Sequence, residues 1–337
     1  MNPNENDSID RNRFQRPSEG QKKIEVKKYI LAFEGAKTEH SYFSGVRLNA
    51  AKLGINPHVI RCLNRHYCDK DESSACRIFK SLCYKVKEDQ TGERSVESYV
   101  KDMVEILVDR HVATKRNGTN KASDVRSKLL DMLQLRGFEK DDIISDPDEE
   151  IDPIIGSFSS CVCDCLRILF GLSSLYDDKE FDDFFSSLKR NITNSECFYD
   201  KNLDQICMIV DRDTGSFNEK QYDELVKACN KYKFKLYMTN PRFEFWLLLH
   251  FLYKSQIDCE NVCQKSKGSK KSYLERELSK KLPGNIKRVF PFDKLVDNVD
   301  TAIENEKEFC EDIFGLKTSI GSNIGQLMTE LKGTKSP

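Results

Sequence analysis

The sequence predicts an α/β protein, a parallel sheet interrupted by a large helical insertion. Two apolar runs that end in carboxylates point to the sheet. Tyr29-Ile30-Leu31-Ala32-Phe33 leads into Glu34-Gly35, and Ile206-Cys207-Met208-Ile209-Val210 leads into Asp211-Arg212-Asp213. A buried strand that stops on an acid and hands over to a helix sets that acid at the carboxyl edge of a sheet, where open α/β sheets build their sites. The third observation is a change of period. Between about residues 70 and 200, apolar residues recur three or four apart, as helices require.

In chain order, residues 1–23 are polar and charged without an apolar period and read as a disordered leader. The α/β domain is expected over 24–63 and again over 204–337. Val26–Phe33 is its first strand. A helix starting at Lys37 or Thr38 follows, with Tyr42, Phe43, Val46 and Leu53 at helical spacing, and Gly54 closes it. Ile55–Leu63 is apolar and β-branched enough for a second strand. The helical insertion covers 64–203, with helices expected over Ala75–Val86, Val96–Val112, Ala122–Leu135 and Ser159–Leu175. The α/β pattern resumes with a strand over 205–210, a helix over 218–231 and a strand over 233–238. The apolar helix Arg242–Tyr253 follows, with Asn240 as N-cap and Pro241 at its first position. A basic segment (Lys265–Lys281), an acidic helix (Phe292–Phe314) and a terminal helix near Ser322–Leu331 complete the chain.

Composition narrows the function classes. Lys and Arg total 54 against 55 Asp and Glu, a net charge of −1, so the chain is no polycation. No run of eighteen apolar residues suggests a membrane span. Thirteen cysteines are scattered, odd in number and without the spacing of a secreted framework. With no apolar signal segment at the N-terminus, the expectation is a cytoplasmic protein whose cysteines serve as small apolar residues.

The chemistry-bearing candidates are Glu34, Asp211 and Asp213. Acids at the ends of parallel strands can converge on a hard cation, and Mg²⁺ needs only a few carboxylates because it keeps several waters. The bland alternative for an isolated Asp-x-Asp is a pair of solvated loop acids. A matching Glu-Gly at another strand end favours the site. Lys37 and Arg212 lie in the same loops and can hold phosphate oxygens. Glu39 and Glu244 are candidates for a second ion or for orientation; Glu244 can equally complement its helix dipole. His250 reads as a packing histidine. Cys161-x-Cys163-x-Cys165 has the wrong spacing for a zinc knuckle and suits alternating strand faces or one broad helix face better. Arg61-x-x-x-x-His66 has the spacing of the metal-independent HEPN ribonucleases, but it follows a strand where they have a helix.

Taken together, Glu34-Gly35-Ala36-Lys37-Thr38-Glu39 with Tyr42-Phe43, then Val210-Asp211-Arg212-Asp213, then Asn240-Pro241-Arg242-Phe243-Glu244-Phe245-Trp246-Leu247-Leu248-Leu249-His250-Phe251, resemble the RloB-like proteins of the Toprim superfamily. The resemblance covers about residues 26–62 and 204–253. It implies a Toprim (Rossmann-like) sheet of about four parallel strands with Glu34, Asp211 and Asp213 at its carboxyl edge. It implies a role in prokaryotic anti-phage or abortive-infection defence, often beside an ABC-type ATPase. One departure is the spacing: Asp211 lies 177 residues beyond Glu34, more than a compact member needs.

The function expected from these residues is a Mg²⁺- or Mn²⁺-dependent nucleic-acid phosphodiesterase cutting tRNA or DNA. Asp211 and Asp213 bind metal, and Glu34 is a further ligand or the general acid/base. Lys37 stabilises phosphate charge, and Glu39 and Glu244 support a second ion. The alternative from another class is a latent or non-catalytic subunit held by an ABC-type ATPase. A third, nucleotidyl transfer, has no accessory motif here. The helical block is expected to recognise a substrate, contact a partner or build a homo-oligomer.

Overall fold

The computed structural model describes residues 26–35, 37–63, 74–91, 94–109, 113, 121–152, 156–170, 199–213, 217–262, 272–284, 286 and 290–334. Its strands, in chain order, are β1 (Tyr29–Phe33), β2 (Ile60–Cys62), β3 (Arg94–Ser95), β4 (Ile143–Ile144), β5 (Glu150–Asp152), β6 (Gly156–Ser157), β7 (Gln205–Asp211), β8 (Lys235–Asn240) and β9 (Gly321–Ser322). Five form the main sheet in the order β2-β1-β7-β8-β9. The first three pairings are parallel and the last, β8 with β9, is antiparallel. The mixed α/β fold with a mostly parallel sheet agrees with the sequence; the antiparallel fifth strand was not foreseen.

Burial of β1 and β7 on both faces explains their near-continuous apolar sequences. Side chains alternate between two cores. Leu31, Phe33, Cys207 and Ile209 face the helices Thr38–Leu48, Phe243–Leu249, Tyr273–Lys281, Val299–Glu306 and Ile324–Lys332. Ile30, Ala32, Ile206, Met208 and Val210 face the helices Ala75–Thr91 and Glu219–Tyr232. The sheet is therefore the middle layer of three.

The helix Ala75–Thr91 changes the expected division of the chain. Its Ala75, Ile78, Leu82 and Val86 share a core with β1 and β7, so it is the crossover helix between β2 and β7. The unit with its own core comes after it. There the helices Val96–Asp109, Ala122–Gln134 and Phe158–Phe170 pack through Val100, Leu107, Leu129, Leu133, Val162 and Leu166. Short antiparallel pairs, β3 with β4 and β5 with β6, border these helices. Cys161 and Cys165 are buried one helical turn apart in this core, as small apolar residues.

Several boundaries differ from the sequence reading for local reasons. Only Ile60–Cys62 of the second apolar run is strand, because the Asn56 side chain accepts the His58 N–H (3.0 Å) and Pro57 starts a 3₁₀ turn. Asn240 is the last residue of β8, and Arg242 holds the N-cap position of the helix. The Asn240 amide donates instead to the Leu316 carbonyl (2.8 Å). The acidic segment 292–314 is broken into two 3₁₀ turns, the helix Val299–Glu306 and a loop. The leader 1–23, His66 and residues 263–271 lie outside the described residues.

Candidate active site at the carboxyl edge of the sheet

Strand register places the acids. Phe33 pairs with Ile209, and Asp211 pairs with Thr239, so Glu34, Asp211 and Thr239 close three neighbouring strands at one edge. The Glu34 N–H still donates to the Ile209 carbonyl (2.9 Å), which holds the residue at the end of the ladder. Glu34 Oε2 in turn accepts the Asp211 N–H (3.0 Å). The Thr239 hydroxyl donates to Asp211 Oδ1 (2.7 Å) and fixes the orientation of that carboxylate. Thr239 escaped the sequence reading, although it stands opposite Asp211 near the end of its own strand.

Gly35 explains why the acid is followed by glycine. A methyl group built at its Cα would overlap the Glu39 carboxylate. Glu39, in the first turn of the helix Thr38–Leu48, is thereby tucked against the strand end and is buried. Glu244 occupies the first turn of the helix Phe243–Leu249. The consequence is a crowd of like charges. Burial above all, then Glu39 and Glu244, with Glu34 adding to them, holds the Asp211 carboxyl well above the usual range; the Thr239 hydrogen bond opposes the rise.

The other predicted residues are placed differently. Asp213 is half-buried with its Oδ2 4.0 Å from Arg242 Nη2. Lys37 is exposed at the start of its helix. Arg212 does not join the edge, contrary to the expectation that it holds phosphate. It is buried, its Nε donates to the Lys317 carbonyl (3.0 Å), its Nη1 to the Phe217 carbonyl, and its guanidinium lies over the Tyr222 ring at 5.3 Å. A short loop between two acids gave no hint of this inward turn.

Among the described residues, no three His, Cys, Asp or Glu side chains stand close enough to share one metal ion. The edge thus offers adjacent carboxylates and a threonine hydroxyl, all hard oxygen donors. Mg²⁺ is commonly bound through one or two carboxylates and completes its shell with water, so the donor set fits such an ion without a closed protein cage.

His250 packs as the sequence suggested. Its Nδ1 lies 3.1 Å from the Trp246 carbonyl and so carries the proton, which leaves Nε2 to accept from the Tyr42 hydroxyl at 3.2 Å. Burial lowers its pKa from 6.5 to about 4, keeping it neutral. Two further buried polar residues were missed. Asn305 donates to the Leu249 and Leu252 carbonyls and so closes the end of the apolar helix. Glu306 Oε2 accepts the Gly325 N–H (2.8 Å) beneath β9.

The fold and the edge together define an α/β domain with an acidic site at the ends of its parallel strands. The model of the RloB-like protein family matches residues 176–331, so that stretch of the chain is similar to RloB-like proteins. The match takes in β7, β8, β9 and Glu244, while Glu34 lies outside it. No curated protein and no solved structure matches the chain. Among the described residues no helix is long and apolar enough to cross a membrane.

Proposed function

We propose that the acidic edge is the centre of a Mg²⁺- or Mn²⁺-dependent nuclease acting on tRNA or DNA, in keeping with the RloB-like match. The observation that carries this is the pairing of Glu34 and Asp211 at neighbouring strand ends, where Glu34 Oε2 accepts the Asp211 N–H (3.0 Å) and Glu39 and Glu244 add like charge that raises the Asp211 carboxyl. Such crowding of like charge is costly, and a divalent cation relieves it. Asp211 would hold the ion with help from Glu34, Glu39 or Glu244. When bound, Mg²⁺ polarises a phosphoryl oxygen and acidifies water.

The chain's own residues do the rest. Thr239 orients Asp211, and the Asp211 N–H fixes Glu34, which moves a proton at the attacking or leaving oxygen. Lys37, exposed at the rim, binds phosphate. Asp213 and Arg242 stand together beside the edge, where Arg242 can meet a second phosphate. The RloB-like class supplies the biological setting in this proposal, prokaryotic anti-phage defence. The test is cleavage of tRNA and of DNA with Mg²⁺ or Mn²⁺. Glu34→Ala and Asp211→Ala each lose activity by about a hundredfold or more, and full activity in both variants refutes the assignment.

A second reading has its own observation. Glu34 accepts the Asp211 N–H and Asp213 stands by Arg242, and among the described residues no three acids are grouped around one metal position. A latent subunit held by an ABC-type ATPase would look like this. Cleavage that starts only when such an ATPase is added would favour it.

A further inference from the structure

The ladder between β7 and β8 ends at the pair Asp211–Thr239, where the Arg212 N–H donates to the Thr239 carbonyl (2.8 Å). Alternation turns the next residues, Arg212 and Asn240, to the face opposite Asp211 and Thr239. There both donate to one segment. Arg212 Nε bonds the Lys317 carbonyl (3.0 Å), and the Asn240 amide bonds the Leu316 carbonyl (2.8 Å). Arg212, Asn240 and Leu316 are all buried. The Tyr222 hydroxyl adds a third bond, to the Ile313 carbonyl. These three carbonyls belong to the loop 311–320, which is closed at its base. The Cys310 N–H donates to the Ile320 carbonyl (3.3 Å), and the Ser322 N–H to the Cys310 carbonyl (3.0 Å). Directly after the loop, β9 pairs Gly321 with Asn240 and Ser322 with Thr239. On the outside, Lys317 Nζ reaches Asp223 (2.9 Å) and Glu219 (3.3 Å).

Adjacent carbonyls of one closed loop thus tie the two strand ends together where their own ladder stops. We propose, on the reading of the edge as a metal-dependent centre, that the loop 311–320 is part of that centre without supplying a ligand. Arg212 and Asn240 are its positioning residues, and through them the loop sets the spacing of Asp211, Asp213 and Thr239. Arg212 stands between the two acids, so slack in its anchorage moves both. Asn240 follows Thr239, so slack there draws the Thr239 hydroxyl away from Asp211 Oδ1. Groups that orient a ligand without touching the ion typically contribute about ten- to a hundredfold to metal affinity or activity.

The test uses the full-length chain with Mn²⁺ as the probe. Free Mn²⁺ is measured by electron paramagnetic resonance as protein is added, and cleavage of tRNA and of DNA is followed separately. Asn240→Ala removes the donor to Leu316. Gly315→Val changes the loop alone, at a position where even a methyl group would overlap Cys310 Sγ, and it carries the test if Asn240→Ala does not fold. In folded protein each variant weakens Mn²⁺ binding about tenfold. Cleavage at limiting Mn²⁺ falls in kcat, recovers when Mn²⁺ is raised, and keeps its KM for nucleic acid. A clamp that only stabilises the fold would lower the Tm and leave the Mn²⁺ affinity of folded molecules at the parent value, and that result overturns the proposal. Where Mn²⁺ binds and no substrate is cut, the binding measurement alone decides. A parent chain that binds no Mn²⁺ refutes the metal reading itself and this inference with it, so the two failures are told apart.

Discussion

Glu306 and His250 are buried beside each other's helices and are displaced in opposite directions, which makes the pH dependence of folding a sharp test. Glu306 is fully buried, and burial pushes its carboxyl from 4.5 up to about 7, with its hydrogen bonds around Ser322 and Gly325 only partly offsetting this. His250 is lowered from 6.5 to about 4. At ~1.4 kcal/mol per pH unit, each displacement costs up to about 3 kcal/mol once the group must ionise in the folded state. For Glu306 the cost is absent below 4.5, where the carboxyl is protonated in both states, and it is complete above about 7. For His250 it is absent above 6.5 and complete below about 4. Between 4.5 and 6.5 the two slopes oppose, so their joint contribution is nearly flat there. Glu306→Gln removes one slope. Urea unfolding of parent and variant at about pH 4.5 and about pH 8 measures the difference, and any constant cost of the new amide cancels between the two pH values. The variant gains up to about 3 kcal/mol relative to the parent on going to the higher pH. An equal parent–variant gap at both values would show that Glu306 ionises as an ordinary carboxylate and refute the reasoning.

Arg212 donates to two backbone carbonyls from a buried position, and lysine cannot reproduce that fork. Arg212→Lys is expected to cost about 2–4 kcal/mol in chemical denaturation, and a loss under about 0.5 kcal/mol contradicts the inward placement. Gly321 lies so close to the Cys310 backbone that a methyl group would overlap its carbonyl. Gly321→Ala should therefore free β9 and speed amide exchange at Ser322 and Asn323, read by hydrogen-exchange mass spectrometry; unchanged exchange counts against the packing. The inserted unit has a core of its own, so replacing residues 94–198 with a short flexible linker should leave the three-layer domain folded. A product without a cooperative thermal transition would show that the insertion is structural to the sheet.

The parts of the fold that could be read from sequence are those whose burial is uniform along an element. β1 and β7 are apolar because both faces are covered, and the helices at 75, 96, 122 and 158 show their period because one face meets a core. The meeting of Glu34 and Asp211 at one edge was readable for a related reason: charged residues that end apolar runs stand out. The elements that sequence hides are held by single polar contacts. β9 has two residues, yet Asn323 next to it lines up with β8 through its backbone N–H to the Met238 carbonyl (3.2 Å) and its Oδ1 to the Met238 N–H (2.6 Å). Nothing in the local pattern Gly321-Ser322-Asn323 separates this from a turn. Glu306 likewise looks like one acid among several in an acidic helix, and only its position under β9 buries it.

The long separation between Glu34 and Asp211 has a topological answer. β2 is the edge strand and β7 lies beyond β1, so the chain must cross the sheet face before it can return. The helix Ala75–Thr91 makes that crossing and packs on Ile206, Met208 and Val210 whatever follows it. Extra chain inserted after the helix and before β7 leaves the β1–β7 register untouched, and that register is what brings the Glu34 carboxylate to the Asp211 N–H.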